Sequence, residues 1–134
     1  MNFRLFPGDT VADVIAHTRQ VVADEQVDVK PLKNSRREAS ATSPSDSKAF
    51  QTLSVTIKQV FGNIPVAPFL AFGGTDARYY TQICKNVFRM TPIVAKPDDM
   101  GRVHGINERI SFGNLENMVK FFAQLLRVRG EDNL

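Results

Sequence analysis

Cysteine and histidine are scarce in this sequence of 134 residues, which contains one cysteine and two histidines. The single cysteine, Cys84, excludes an intrachain disulfide and any metal site built from several cysteines. Because Cys84 falls in a predicted amphipathic helix, we expect its thiol to be buried and inert. Long apolar runs are also missing, since none approaches the ~20 residues that cross a bilayer. A membrane-spanning helix is therefore not predicted.

The charge balance argues against a nucleic-acid partner. Lysine and arginine together number 17 against 14 acidic residues, which gives a net charge of +3. The excess is scattered along the chain, whereas a nucleic-acid-binding domain carries a basic stripe with interleaved aromatic residues on one face. The apolar fraction of 43% and the charged fraction of 23% are typical of a soluble globular protein.

The first part of the chain predicts a strand–helix–strand unit. Apolar and polar residues alternate in Asn2–Phe6 and again in Val27–Leu32, the period of a half-buried strand. Between them, Thr10 offers a side-chain oxygen to cap a helix whose apolar residues recur at helical spacing, with Asp13 near its positive end. A unit of about 30 residues is too small to bury a core alone, so we expect it to be part of something larger.

Residues 34–45 are charged, rich in serine and threonine, and contain a proline, which predicts a linker. Longer and more apolar elements follow over residues 46–134, in the order helix–strand–helix–strand–helix. This order predicts an α/β layer with parallel strands. The segments are a helix capped by Ser45 or Asp46, a strand at Pro65–Phe72, a short helix near Tyr79, a strand at Val87–Val94, a loop over residues 95–113 and a helix capped by Asn114.

The predicted elements carry more apolar surface than two or three strands can cover. We therefore expect the missing layer to be supplied by sequence upstream of Asn2, which would make the natural N-terminus absent here. The compartment is left unknown for the same reason.

One candidate site lies at the predicted strand–helix junction Gly73–Arg78, with the sequence GGTDAR. In α/β sheets, ligands bind where strands end and helices begin. The glycines let a ligand approach the backbone, the first amides of a helix favour an anion, and Arg78 is able to clamp a carboxylate. Asp76 either caps the helix or orients Arg78. A tight turn with a capping aspartate and a surface arginine explains the same residues.

Two further candidates are His104 and Arg4. The loop segment 102–110 places a histidine, an asparagine, a glutamate and two arginines within nine positions. A neutral imidazole is the commonest zinc ligand, and Asn107 or Glu108 is a natural supporting partner. A hydrogen-bonded loop histidine is the alternative, as a solvated strand face is for Arg4. His17 has no comparable cluster of polar residues around it in the sequence and is predicted to lie on the surface.

Four segments together resemble one family: NFRLFPGDT at residues 2–10, SPSDS at 43–47, GGTDAR at 73–78 and HGINERI at 104–110. In that order and at those intervals, over essentially residues 2–127, the sequence resembles the zinc-dependent carboxypeptidases, aminoacylases and desuccinylases. It is most similar to the branch of carboxypeptidase S and the N-fatty-acyl-amino-acid synthases/hydrolases.

The resemblance implies a catalytic α/β domain with two zinc ions, interrupted by a smaller lid domain. Residues 1–33 would then end the lid, residues 34–45 would link it to the catalytic domain, and residues 46–134 would form the C-terminal part of that domain. The site residues implied are His104 as a zinc ligand, Glu108 as its supporting residue, and Arg4, Gly74, Thr75, Asp76, Arg78 and Asn107 for substrate binding.

The activity implied is hydrolysis, or formation in reverse, of the amide bond of an N-acyl amino acid or small peptide. The resemblance implies that zinc-bound hydroxide would attack the acyl carbonyl, while Arg4 and the pocket of Arg78 would hold the substrate carboxylate. The family's other metal ligands and its glutamate general base have no match here and are expected upstream of Asn2. We therefore expect no catalytic residue in this chain and no activity from it alone.

The alternative is a non-catalytic, truncated module that assembles with a partner through exposed apolar faces. Acyl and amino-acid specificity, the direction of the reaction and the formation of a homodimer stay open.

Overall fold

The computed structural model describes residues 1–33, 37–71 and 73–131, and these contain five helices and no strand. The helices are α1 (Val11–Val22), α2 (Lys48–Phe61), α3 (Ala77–Tyr80), α4 (Pro97–Met100) and α5 (Phe112–Glu131). The chain divides into two compact units, the first Met1–Ser43 with Phe72–Lys85, the second Pro44–Ala71 with Asn86–Leu134. Residues 34–36 of the predicted linker lie outside the described residues, and the predicted lid, linker and catalytic divisions stay predictions.

The predicted α/β layer is wrong, because the described residues form helices and irregular segments without a sheet. Alternation and apolar runs report which side chains favour burial. A strand also needs a neighbouring strand that pairs its backbone N–H and C=O groups. Prolines 65, 68 and 92 remove three of the donors that such pairing uses. The segments concerned are Asn2–Phe6, Val27–Leu32, Pro65–Phe72 (with Phe72 outside the described residues) and Val87–Val94.

Helix α1 in the first unit begins as the sequence predicts. Thr10 Oγ1 accepts a hydrogen bond from the Asp13 amide at 3.1 Å, and the Asp13 carboxylate accepts one from the Thr10 amide at 2.9 Å. This reciprocal capping box satisfies two amides that no helical carbonyl reaches. A third, that of Val11, donates to the Glu38 carboxylate at 3.1 Å, which ties the chain after residue 36 to the start of α1. The helix ends at Val22, and the cap residue that follows, Ala23, has a left-handed backbone.

Helices α2 and α5 pack against each other and form the small core of the second unit. Ile57 of α2 and Phe121 of α5 are buried, with 9% and 2% of their surfaces exposed. Above this contact, the Gln124 side chain donates a hydrogen bond to the Gln59 side chain at 2.9 Å. The two helices are therefore joined by apolar burial and by the long-range bond between Gln124 and Gln59.

Both helices of this pair have caps that differ from the predicted ones. Ser47, not Ser45 or Asp46, accepts a hydrogen bond from the Phe50 amide at the start of α2. Ser111, not Asn114, accepts one from the Asn114 amide at 3.1 Å, so α5 begins at Phe112. Serine and aspartate succeed one another before α2, and only the register of the helix decides which side chain reaches a free amide.

The prediction that Cys84 is buried is wrong. Helix α3 has four residues and ends at Tyr80, and a turn follows, so the thiol lies on an exposed segment and not on a helix face. His17 lies exposed on α1, as predicted.

Much apolar surface of the second unit stays exposed. Helix α5 turns one face to α2 and carries a second apolar stripe, spaced three and four residues apart, on its solvent side. Exposed fractions along this outer stripe are 92% for Phe112, 49% for Leu115, 64% for Val119, 48% for Phe122 and 73% for Leu126. Among the described residues, no helix is both long enough and apolar enough to cross a membrane.

Candidate functional site

Arg4 and Gly74, far apart in the sequence, lie together in the first unit. Arg4 Nη1 is 3.8 Å from the position that a Cβ atom on Gly74 would occupy. Because glycine has no side chain, the guanidinium group lies beside bare backbone. Arg4 is exposed and forms no ion pair with another described residue, so its guanidinium group is open to a ligand.

The turn before α3 is organised by Thr75 and not by Asp76. Thr75 Oγ1 accepts a hydrogen bond from the Ala77 amide at 3.3 Å. Asp76 stands at the cap position, but its side chain makes no cap bond. Its backbone is already helical, with φ −65° and ψ −13°, whereas a cap residue needs an extended backbone to turn its side chain toward the helix amides. Of the two roles that the sequence left open for Asp76, the structure therefore does not support the capping one, and its predicted role in substrate binding stays a prediction.

Arg78 is held by Tyr79, a residue of the predicted short helix that was not among the predicted site residues. Arg78 Nη2 donates a hydrogen bond to the Tyr79 hydroxyl at 2.7 Å, and the guanidinium carbon lies 4.5 Å from the centre of the Tyr79 ring. Arg78 Nε is buried and has no partner among the described residues. Arg78 is therefore not the fully solvated arginine of the alternative interpretation.

The loop that carries His104, in the second unit, has its own internal bonds although its sequence shows little periodicity. The Asp99 carboxylate accepts a hydrogen bond from the Lys96 amide at 3.0 Å and pairs with Arg102 at 2.9 Å. The Gly105 amide donates to the Arg102 carbonyl at 2.8 Å. A Cβ atom on Gly105 would lie 3.2 Å from the Gly101 carbonyl oxygen, so any other residue in this tight turn would displace its neighbours by a few tenths of an ångström.

His104 and Asn107 both have left-handed backbones, with φ of 59° and 61°. This conformation is uncommon for residues with a Cβ atom and occurs often at functional sites. Both side chains are exposed, and neither makes a hydrogen bond with another described residue. The interpretation of His104 as a hydrogen-bonded loop histidine is therefore not supported. Glu108 is also exposed and makes no bond to His104 in the described part of the chain.

A metal centre is not complete within the described residues. No group of three or more histidine, cysteine, aspartate or glutamate side chains there is arranged to hold a metal ion. A catalytic zinc ion takes about three protein ligands and a water molecule. His104 offers one nitrogen ligand, so these residues do not by themselves fit a zinc ion, and its role as a ligand stays a prediction.

Residues 6–128 match the sequence profile of Peptidase family M20/M25/M40. The chain is 38% identical over 130 residues to N-fatty-acyl-amino acid synthase/hydrolase PM20D1 of Homo sapiens, an alignment that covers 95% of this chain and 26% of that protein. It is 36% identical over 127 residues to Probable carboxypeptidase S-like 2 of Dictyostelium discoideum, covering 95% of this chain and 24% of that protein. The chain thus spans about a quarter of the length of these curated relatives. No solved structure matches the chain.

Proposed function

The chain belongs to Peptidase family M20/M25/M40, the family that its motifs predicted, and from this premise we propose that it is part of a metal-dependent amidohydrolase or carboxypeptidase. Its substrates would be N-acyl amino acids or small peptides, which share an amide bond and a free carboxylate. The names of the relatives support both features, since one is a carboxypeptidase-like protein and another a synthase/hydrolase of N-fatty-acyl amino acids.

The contact between Arg4 and Gly74 carries the proposal. An N-acyl amino acid presents a planar carboxylate, and a guanidinium group binds such a carboxylate through two parallel hydrogen bonds. Arg4 is exposed, has no ion-pair partner among the described residues, and lies 3.8 Å from the bare Cβ position of Gly74. A substrate carboxylate that pairs with Arg4 would therefore also reach the backbone of the turn at residues 73–76.

Arg78 would strengthen the same carboxylate-binding element. Its Nε–H group is buried without a partner, and such a group costs about 1–3 kcal/mol when unsatisfied. An anion that draws the guanidinium group outward would relieve this cost. Thr75 and Asp76 would shape the turn between Gly74 and Arg78, with Thr75 fixing it through the Ala77 amide.

His104 would be the chain's one metal ligand, with Asn107 contacting substrate and Glu108 supporting the ligand. Members of this family are generally metal-dependent, usually on zinc, and we propose two zinc ions in the complete enzyme. His104 has a left-handed backbone, and its exposed imidazole makes no hydrogen bond with another described residue. The remaining ligands and the general base would come from a longer polypeptide, so we expect negligible amide hydrolysis by the 134 residues alone.

Carboxylate recognition is tested by nuclear magnetic resonance on this chain. Adding an N-acetyl amino acid should shift the Gly74 amide and the Arg4 side-chain signals. The corresponding N-acetyl amino-acid amide, in which an uncharged carboxamide replaces the carboxylate, should not shift them. Arg4→Ala should abolish the shift, whereas Arg37→Ala, which removes an exposed arginine of the same unit, should not. Equal responses to acid and amide would refute the assignment. Robust zinc-dependent turnover by the purified chain would refute the claim that it holds only part of the centre.

The outer stripe of α5 supports a second candidate, a non-catalytic module that assembles with a partner. Its five side chains are 48–92% exposed, and soluble proteins seldom leave a contiguous apolar face of this kind uncovered. Sedimentation of the isolated chain would separate the candidates. The module would be favoured if the chain associates, if Leu115→Glu disrupts this association, and if Lys120→Glu on the same helix leaves it intact. The chain should then also show no response to N-acetyl amino acids.

A further inference from the structure

We propose that Asn114 is a positioning residue that holds together the two ends of the loop carrying His104. We call this closure, between Val94 before the loop and Asn114 after it, the neck of the loop. The inference rests on the proposed function for the importance of His104, but the closure itself is a property of the second unit that is measured separately.

The side-chain amide of Asn114 makes two hydrogen bonds to one residue before the loop. Its Oδ1 atom accepts from the Val94 amide at 2.8 Å, and its Nδ2 atom donates to the Val94 carbonyl at 3.1 Å. Asn114 lies in the first turn of α5, where its own amide donates to Ser111 Oγ at 3.1 Å. One residue therefore joins the position just before the loop to the position just after it.

The chemistry of this contact needs an asparagine. A primary amide carries an acceptor and a donor side by side, the same pair that a peptide group presents to a neighbouring strand. Asn114 thus gives Val94 the two bonds that a strand neighbour would give. An aspartate of the same shape keeps the acceptor but loses the donor, and it sets a negative charge against the Val94 carbonyl.

The other bonds of the loop do not replace this one. The Asp99 bonds to Lys96 and Arg102, and the turn at Gly105, connect loop residues to each other. They shape the segment around His104, whereas the Asn114 bonds fix the start of the loop to α5. Because α5 packs against α2 in the core of the unit, the Asn114 bonds fix the start of the loop to this core. Opening the neck would let the shaped segment move relative to α5.

Hydrogen exchange and histidine resonances of this chain test the proposal. In Asn114→Ala and Asn114→Asp, the Val94 amide should lose protection about tenfold, equivalent to a change of 1.4 kcal/mol in the closing equilibrium. The Cε1–H signal of His104 should shift or broaden. His17, the other histidine in the sequence, lies in the first unit and should be unchanged. Asn117→Ala, which removes the next asparagine of α5, should leave Val94 and His104 as in the parent chain.

Two results would overturn the proposal. One is an unchanged Val94 amide and His104 signal in both Asn114 variants. The other is a loss of protection at Phe121 as large as at Val94, since the effect would then be general unfolding of the unit and not opening of the neck. If the neck opens as expected but Arg4-dependent carboxylate binding is absent, the proposed function fails and the role of Asn114 in closing the loop stands.

Discussion

Single residues show where this chain places unusual backbone. Left-handed conformations in residues other than glycine occur at Ala23, His104 and Asn107 among the described residues, and two of these three are predicted site residues. At Ala23 the conformation ends a helix, a common use. At His104 and Asn107 it lies inside the loop, where both side chains are exposed.

Replacing His104 should therefore reverse the usual order of alanine and glycine. His104→Gly should be more stable than His104→Ala by about 1 kcal/mol, because a Cβ atom is disfavoured at positive φ. At Lys120, an exposed position of α5, the normal order should hold, with glycine less stable than alanine by about 1 kcal/mol. Urea denaturation of the four variants measures both differences. A His104→Ala variant more stable than His104→Gly would contradict the left-handed backbone at this position.

Gly74 should tolerate a methyl group but not a branched side chain. A Cβ atom there lies at ordinary contact distance from Arg4, 3.8 Å, so Gly74→Ala should bind an N-acetyl amino acid nearly as the parent chain does. Gly74→Val should displace the guanidinium group and weaken binding about tenfold or more, as titration by nuclear magnetic resonance will show. Gly73→Val is the matched control, since no described atom outside its two chain neighbours lies within 4 Å of its Cβ position. Equal losses at both positions would point to the turn itself and not to Arg4.

At the scale of elements, α1 is the helix whose cap the sequence predicts, and it is closed by a reciprocal capping box. Helix α1 has its cap, its reciprocal partner and its apolar stripe within the first turns, so no distant residue decides where it begins. The predicted strands have no such local closure. Their fate depends on whether another segment offers a backbone ladder, and in the described residues none does.

The capping box of α1 should make this helix sensitive to acid. Hydrogen bonds from Thr10 hold the pKa of the exposed Asp13 carboxyl below its ordinary value. A lowered pKa in the folded state means that the stabilisation is complete above the ordinary carboxyl pKa of about 3.9 and is lost as pH falls through the folded value. Helicity measured by circular dichroism should accordingly fall in acid.

Thr10→Ala isolates this effect from the other carboxylates. It should lower the free energy of unfolding at neutral pH by about 1 kcal/mol and reduce the difference from the parent chain at low pH. Thr18→Ala is the control on the same helix, since its hydroxyl bonds a helix carbonyl and caps nothing. A Thr10→Ala deficit that is constant with pH would contradict the reciprocal bond.

At the scale of the whole molecule, the balance between core and exposed apolar surface stands out. The buried apolar core comprises Ile57 and Phe121 among the described residues, while many large apolar side chains, the outer stripe of α5 included, contact solvent. Exposed apolar surface contributes nothing to folding until something covers it. This imbalance agrees with a chain that spans about a quarter of its relatives' length.

Alanine substitutions at two adjacent phenylalanines of α5 should show whether the outer stripe is covered in a larger assembly. In the isolated chain, Phe121→Ala should cost about 3–5 kcal/mol, since the ring is 2% exposed. Phe122→Ala should cost about 1 kcal/mol, chiefly the edge-to-face contact with Phe121 at 5.4 Å. Chemical denaturation compares them. In a longer polypeptide of the family that covers the outer stripe, the loss of unfolding free energy caused by Phe122→Ala should rise toward the loss caused by Phe121→Ala. An unchanged loss would show that the outer stripe is exposed there too.

The sequence alone determined what depends on near neighbours or on ordered motifs. It predicted the start of α1, the exposure of His17, the family, and the lack of a membrane-spanning helix among the described residues. Tertiary structure decided the rest: the lack of a sheet in the part of the chain that the structure describes, the exposure of Cys84, the contact between Arg4 and Gly74, and the bonds of Asn114 to Val94. A cap joins atoms three residues apart, and its formation follows from local geometry. A contact between distant residues forms only after a long loop has closed, and composition and spacing do not state which loops close together.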